Sequence, residues 1–260
     1  MPTTPRYTDY DTWAWLYNET MGPDYSQTQL KFLRQFLLPH LPRNAAILDL
    51  CCGTGQLIQP LMAAGYQVTG LDGSAEMLTY ARQNAPQAIY LLEDARHFHL
   101  PEQFDGVFST SASLNHIMTL ADLTQVFGNV YQSLRPGGRF VFDLNHPAQM
   151  QKWWRNRIVE GEIIARYAWR LTPEYHPATA EGAFHVEIFQ AQPPTAPLAR
   201  LTQFLKQALY KLLSLRRLTG LRLRLLSRFE KLDPTWTRSR LTYRVRGHSL
   251  TDIHTALETA

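Results

Sequence analysis

Alternating strand and helix signals over residues 45–145 make this 260-residue chain a doubly wound, mostly parallel α/β protein. Three observations carry that reading. The apolar run at 45–50 is short enough for a buried parallel strand, and it leads through Cys51-Cys52 into Gly53-Thr54-Gly55, where a helical pattern begins. Further strand-like runs follow at 67–71, 88–92 and 104–109, the first two ending next to a carboxylate. Pro136-Gly137-Gly138 then marks a tight turn ahead of a fifth run.

The first 44 residues read as helical. Tyr7, Tyr10, Trp13, Trp15, Tyr17 and Tyr25 crowd the start. Such rings either pack the N-terminus onto the core or face a ligand. A second helix is expected from Asp24 or Ser26 to Leu38, with Leu30, Leu33, Phe36 and Leu37 on one face and Pro39 as its stop.

In the 45–147 stretch, Asp49 sits near the end of the first strand. The two glycines after it allow a sharp backbone turn and close approach of a ligand. Leu57, Ile58, Leu61 and Met62 mark a helix that stops at Gly65. The second strand ends in Asp72, whose carboxylate can accept hydrogen bonds from two hydroxyls at once. Gly73 follows, and Ser74 is a helix N-cap ahead of Met77. The third strand ends in Glu93-Asp94-Ala95. His97 and His99 lie close behind, with no third ligand to complete a metal set, so no metal is assigned. The fourth strand ends at Ser109 and opens into a loop, 110–117, that contains Ser111 and His116. In α/β sheets ligands bind at the carboxyl ends of the strands where strand order reverses, so this loop faces the chemistry. Leu123, Val126, Phe127, Val130, Tyr131 and Leu134 then recur at helical spacing.

Asp49-Leu50-Cys51-Cys52-Gly53-Thr54-Gly55, Asp72-Gly73-Ser74, the Phe104-Asp105 strand and Leu134-Arg135-Pro136-Gly137-Gly138 follow one another in this order. Together they resemble class I S-adenosylmethionine (SAM)-dependent methyltransferases of the small-molecule type. A dinucleotide fingerprint fits less well, because Ile58 stands where its third glycine belongs. The resemblance implies SAM as cofactor. It implies that Asp49 organises the loop at the methionine end, with Cys51, Gly53, Gly55 and Ser109 around it. It also implies that Asp72 and Gly73 meet the ribose, Met77 lies against the adenine, and Asp94 and Ala95 receive its amino group and ring nitrogen. The segment from Tyr10 to Asn18 is similar to the family's aromatic lid. On the acceptor side the resemblance points to Tyr17, Ser111 and His116, with His116 as general base.

Beyond residue 147 the signals change. Ile163, Ala165, Tyr167, Trp169 and Leu171 alternate with more polar positions, as do Phe184, Val186 and Ile188, and then Leu241, Tyr243 and Val245. Period-two alternation predicts half-buried antiparallel strands. A linker is expected at 192–197, followed by a basic amphipathic stretch, 198–229, with Thr219-Gly220 dividing it into two helices. That stretch is either packed on the domain, or a peripheral contact with an anionic membrane, or, least in keeping with the rest, a nucleic-acid grip. Ser249 caps a last helix with Asp252 three residues on. On the resemblance two further strands would follow it, so an open sheet edge is expected. The chain thus divides into a helical lid (1–44), a SAM-binding core (45–147), a β-rich substrate lobe (148–196), a basic helical insertion (197–232) and a return strand with a final core helix (233–260).

Composition sets the outer bounds. A hydrophobic content of 45% supports a sizeable core, and the net charge is +4. The two cysteines are adjacent and cannot join distant segments, which points to a reduced, cytoplasmic protein. No secretory signal and no apolar run of about 18 residues is present. The function expected is methyl transfer from SAM to a small-molecule or lipid-like acceptor, the alternative being an inactive SAM-binding scaffold of the same fold.

Overall fold

The computed structural model describes residues 8–191, 208–232 and 236–260. The chain forms two compact units, residues 1–145 with 248–260, and residues 146–247.

The first unit is built on a five-stranded parallel sheet of order β3-β2-β1-β4-β5. Its strands are β1 Ala46–Leu50, β2 Gln67–Asp72, β3 Ile89–Leu92, β4 Phe104–Ser109 and β5 Leu134–Phe142. Strand order reverses between β1 and β4, which fixes the crevice above their carboxyl ends as the ligand position. Both faces of the sheet are covered. Leu48, Leu50, Leu71 and Val107 pack with Leu123, Val126, Phe127 and Val130 of α5 (Leu120–Ser133). On the other face Ile47, Val68 and Phe108 pack with Leu33 of α2 (Met21–Phe36) and with Ile58 and Leu61 of α3 (Ile58–Ala63). β1 is therefore buried on both sides, which is why it reads as a continuous apolar run rather than an alternating one. Ser74 caps α4 (Ala75–Asn84) by accepting the Met77 N–H.

Three elements differ in detail from the sequence reading. The N-terminal helix is split into a 3-10 turn at Asp9–Thr12 and α1 (Ala14–Glu19), and α2 starts earlier than expected, with Pro23 in its first turn where the missing N–H costs nothing. The Pro136-Gly137-Gly138 segment is not a turn before β5 but an irregularity inside it. Phe104 pairs with Leu134 and Gly106 already pairs with Arg139, so the extra residues bulge out opposite Asp105.

The second unit contains a four-stranded antiparallel sheet, β6-β7-β8-β9. The alternating run from Ile163 to Leu171 is two strands: β6 (Glu160–Ile163) and β7 (Tyr167–His176) form a hairpin closed by the Ile164 N–H on the Tyr167 carbonyl. No Gly, Pro or Asn marks that turn, so alternation ran straight across it. β8 (Glu181–Gln190) and β9 (Thr237–Arg246) complete the sheet. The strand expected to return to the core over 233–260 is therefore β9, which closes the antiparallel sheet. Only α10 (Leu250–Thr259), with its Ser249–Asp252 capping box, lies in the first unit.

A helix, α6 (Pro147–Trp153), opens the second unit. Helical residues 208–213 (α7), α8 (Thr219–Leu226) and α9 (Phe229–Leu232) bury Tyr210, Leu213, Leu226 and Phe229 against Ile163, Ala168 and Phe189. The break between α7 and α8 falls at 214–218, ahead of Gly220. The expected linker at 192–197 and the start of the basic stretch lie outside the described residues.

Candidate active site

The loop after β1 turns by alternating left-handed residues: Cys51, Gly53 and Gly55 have φ of 62°, 53° and 70°. Cys51 is a strained position for a residue with a Cβ. At Gly55 a methyl group would be both strained by the left-handed backbone and crowded, because a Cβ there would lie 3.0 Å from the Ala81 Cβ and 3.2 Å from its Cα. Asp72 fastens this loop to the next helix. One carboxylate oxygen accepts the Gly53 N–H at 2.8 Å and the other accepts the Ser74 N–H at 2.9 Å. Asp11, in the N-terminal turn, accepts from the Ser74 hydroxyl and from the Glu76 N–H, so the N-terminal segment is pinned to the start of α4. Asn18 of α1 adds two contacts, accepting from Gln56 at 3.1 Å and Asn84 at 2.7 Å.

Burial dominates the electrostatics at the ends of β1 and β2. Burial, and then the nearby Asp72, push the Asp49 carboxyl well above the usual carboxylate range. Burial likewise raises Asp72 to about 6, against the lowering effect of its backbone donors. The thiols of Cys51 and Cys52 are pushed up by burial and by the surrounding carboxylates, which leaves them unreactive. Asp94, at the end of β3, is held by Arg96. The guanidinium grips both carboxylate oxygens, at 2.9 and 2.7 Å, and the Arg96 N–H adds a third bond at 2.9 Å. These donors outweigh burial and keep the Asp94 carboxyl below its usual range. The Ala95 carbonyl accepts from Asn129, and Met77 is buried in α4.

On the other side of the crevice, the loop after β4 is built on strain. Ser111 and Ala112 are consecutive left-handed residues, with φ of 60° and 56°. Asp143, just past β5, holds them by accepting the Ala112 N–H at 2.5 Å and bonding to the Ser111 backbone. Asn115, fully buried, ties the same loop to Asn145 by a reciprocal pair of hydrogen bonds, at 2.8 and 3.2 Å. His116 is then presented from a 3-10 turn, Ser113–His116, and its Nε2 shares a 2.7 Å hydrogen bond with the Tyr10 hydroxyl.

The rings continue from there. Tyr10 meets His116 edge-on at 5.3 Å and Trp13 at 5.5 Å, and Trp13 meets Tyr17 at 5.7 Å. Tyr17 lies over the glycine loop, its Cε1 3.8 Å from where a Cβ on Gly53 would stand. A chain of four rings thus runs from the β4 loop to the β1 loop. The structure brings Tyr17 and His116 to its two ends. Ser111 stands exposed in the left-handed turn, and its backbone, not its hydroxyl, is what Asp143 engages.

Two features of this crevice fit SAM. The first is charge: the Asp49 and Asp72 carboxyls, raised chiefly by burial, are relieved by a cation, and SAM carries a sulfonium and an ammonium. The second is an orphaned polar atom, the Ser109 hydroxyl at the end of β4, which is buried without a hydrogen-bond partner. Residues that the sequence reading left without a role are Asp11, Arg96, Asn115 and Asp143. Asp11 and Asp143 had a local signal, in the Tyr10-Asp11 pair and in an acid at the end of the fifth strand. Asn115 stands in the Asn115-His116 pair of a segment similar to the family's, whereas Arg96 had no signal and is recognisable only by what it touches.

Sheet order, glycine loop and strand-end carboxylates are those of the class I, SAM-dependent methyltransferase fold. A family model described as a methyltransferase domain matches residues 47–138. Among particular proteins, the chain is 37% identical over 126 residues to the uncharacterized methyltransferase sll0829 of Synechocystis, covering 48% of this chain and 59% of that one. It is 34% identical to the demethylmenaquinone methyltransferase of Lactiplantibacillus plantarum, over 46% of this chain and 56% of that one. It is 28% identical to a dTDP-3-amino-3,4,6-trideoxy-alpha-D-glucopyranose N,N-dimethyltransferase of Streptomyces venezuelae, over 51% of this chain and 52% of that one. The chain spans about half the length of the curated relatives it matches. In fold it is similar to Streptomyces venezuelae DesVI, with a TM-score of 0.66 at 18% identity over 96% of this chain and 89% of that one. It is likewise similar to SAM-bound CalS10 of Micromonospora echinaspora, with a TM-score of 0.62 at 16% identity over 100% and 91%.

Proposed function

We propose that this protein transfers a methyl group from SAM to an amine, hydroxyl or activated carbon of a small-molecule acceptor. The observation that carries this reading is the ring chain that joins His116 to the glycine loop, because it ties a proton acceptor to the place where the cofactor binds. When bound, SAM supplies an electrophilic methyl group. The work left to the chain is to align a nucleophile, take its proton and keep water out. Asp72 and the Gly53 and Ser74 amides orient the cofactor end. Tyr10, Trp13 and Tyr17 form the dry aromatic wall that suits a sulfonium. His116, steadied by the Tyr10 hydroxyl, accepts the acceptor's proton. Two relatives named above act, by their names, on an amino sugar and on a menaquinone precursor, which supports polar sugar amines and quinone-type rings as the first acceptors to try.

Nothing in the site supports the alternative of an inactive scaffold, since the glycine loop and the acids at the ends of β1, β2 and β3 are all in position. The two unpaired cysteines support work in a reducing compartment. Among the described residues no helix is long and apolar enough to cross a membrane. The test is calorimetric titration with SAM and S-adenosylhomocysteine, followed by transfer of labelled methyl to an acceptor panel. Binding of both ligands with label in one acceptor class is the expected outcome. A folded protein that binds neither ligand overturns the reading.

A further inference from the structure

The second unit carries an exposed surface, both apolar and basic, that the site described above does not include. α7, α8 and α9 turn one side onto the antiparallel sheet, burying Tyr210, Leu213, Leu226 and Phe229. Four leucines of these helices, Leu209, Leu212, Leu221 and Leu232, and Leu215 in the break between α7 and α8 are about half exposed, from 49% to 54%. Leu209 and Leu212 are neighbours one turn apart on α7, and Leu221 stands one turn from Arg224 on α8. Single exposed leucines need no explanation, but five within 24 residues form a patch. Exposed cations are set among them: Lys211, Arg217, Arg224, Arg228 and Lys231. The acid of the same described stretch, Glu230, is ion-paired with Arg238.

β9 extends this charge. In the register of β8 and β9, Arg238, Arg240, Arg244 and Arg246 lie opposite Phe189, Glu187, Ala183 and Glu181, on alternate positions and so on one sheet face. That is the face whose Phe189 end the helices cover. Arg238 is held by Glu187 and Glu230, and Arg244 by Glu181 at 3.1 Å, whereas Arg240 is exposed.

We propose that this face of the second unit docks on an anionic phospholipid surface. The leucines enter the boundary between headgroups and acyl chains, and the cations around them meet lipid phosphates. Charge alone would suit any polyanion. The exposed leucines decide for lipid, because a phosphate-tracking surface gains nothing from them. A second copy of the same chain is disfavoured by the same cations, which would face one another across a symmetric contact.

The experiment is co-sedimentation of the full chain with vesicles of mixed phosphatidylcholine and phosphatidylserine, against phosphatidylcholine alone. Binding is expected only to the mixed vesicles, weakening as salt is raised. Each of Arg224→Gln and Arg228→Gln should lower the partition coefficient about fivefold, in line with roughly 1 kcal/mol per cation near the surface. The triple change Leu209→Ser, Leu212→Ser, Leu221→Ser should abolish binding. These side chains are half exposed, so the variants should keep the parent's circular dichroism and its titration with S-adenosylhomocysteine, which reads the other unit independently. Three results would overturn the proposal: no sedimentation with mixed vesicles, full binding by the leucine variant, or loss of vesicle binding to a competing RNA homopolymer that the leucine variant binds equally well. Self-association through the patch, seen as a dimer in sedimentation velocity that the leucine variant loses, would likewise replace lipid with a second copy as the occupant.

Discussion

Asp72 accepts two backbone N–H groups and still titrates near 6, because burial outweighs its donors. Its folded value is raised, so the native state holds this proton more tightly than the unfolded chain does. Its contribution to stability is therefore present at low pH and lost as pH rises from the ordinary carboxylate range through about 6. Ligand binding should run the other way, since ribose hydroxyls need the ionised acceptor. Affinity for S-adenosylhomocysteine should rise as pH passes 6 and level off above it, and Asp72→Asn should remove that step and cost at least about tenfold in Kd, as for hydrogen bonds to a charged group. Titration calorimetry across pH 5 to 8 measures both. In the proposed reaction His116 takes the acceptor's proton and makes no contact with the cofactor. Thus His116→Ala should lower kcat by about 10² to 10⁴ and leave the Kd of S-adenosylhomocysteine unchanged. Carboxylates at strand ends were legible because the pattern is local: an apolar run, an acid, a glycine or a cap. The Tyr10–His116 hydrogen bond joins positions 106 residues apart and has no local signature.

Secondary structure was legible wherever its punctuation is chemical. The capping boxes and glycine stops were found because a side chain or a left-handed residue marks them. Two boundaries differ for opposite reasons: the Ile164–Tyr167 turn contains no turn former, whereas Pro136-Gly137-Gly138 carries the strongest turn signal of all and is absorbed by a bulge that only pairing with β4 reveals. Within the glycine loop, Gly55→Ala should weaken cofactor binding at least about tenfold in a folded protein, because φ of 70° strains the residue and the Ala81 contact forces the loop and α4 to shift. A ligand titration beside a thermal melt separates these two effects. In the antiparallel sheet, Glu187 lies buried between Arg170 and Arg238. Removing it leaves the largely buried Arg170 guanidinium without its counter-ion, still held by the Leu226 carbonyl, so Glu187→Ala should destabilise this unit by about 2–3 kcal/mol, read by urea melts. The two guanidiniums hold the Glu187 carboxyl below its usual range despite its burial. That stabilisation is present above the ordinary glutamate range and is lost as pH falls through the depressed folded value.

At the scale of the molecule, the two units have separate apolar cores: one sandwiches the parallel sheet, and the other lies between the antiparallel sheet and its helices. Separate cores make separate cooperative units. Calorimetry should resolve two transitions, and S-adenosylhomocysteine at a hundredfold over its Kd should stabilise only one of them, by about 2.7 kcal/mol. The doubly wound sheet was readable from strand and helix alternation. The membership of β9 was not, because an alternating strand fits either sheet until its partner is known. The chain leaves the first unit at Asn145 and re-enters it at His248, and both ends are fastened to one short turn. The Asn145 amide bonds to Asn115, and the His248 ring bonds to the Ile117 carbonyl at 2.8 Å. The turn that presents His116 therefore also clasps the two first-unit residues that flank the cassette 146–247 in the chain. Evolution, or an engineer, can exchange that cassette whole, fitting the same methyl-transfer engine with a different front end, without cutting a strand of the parallel sheet.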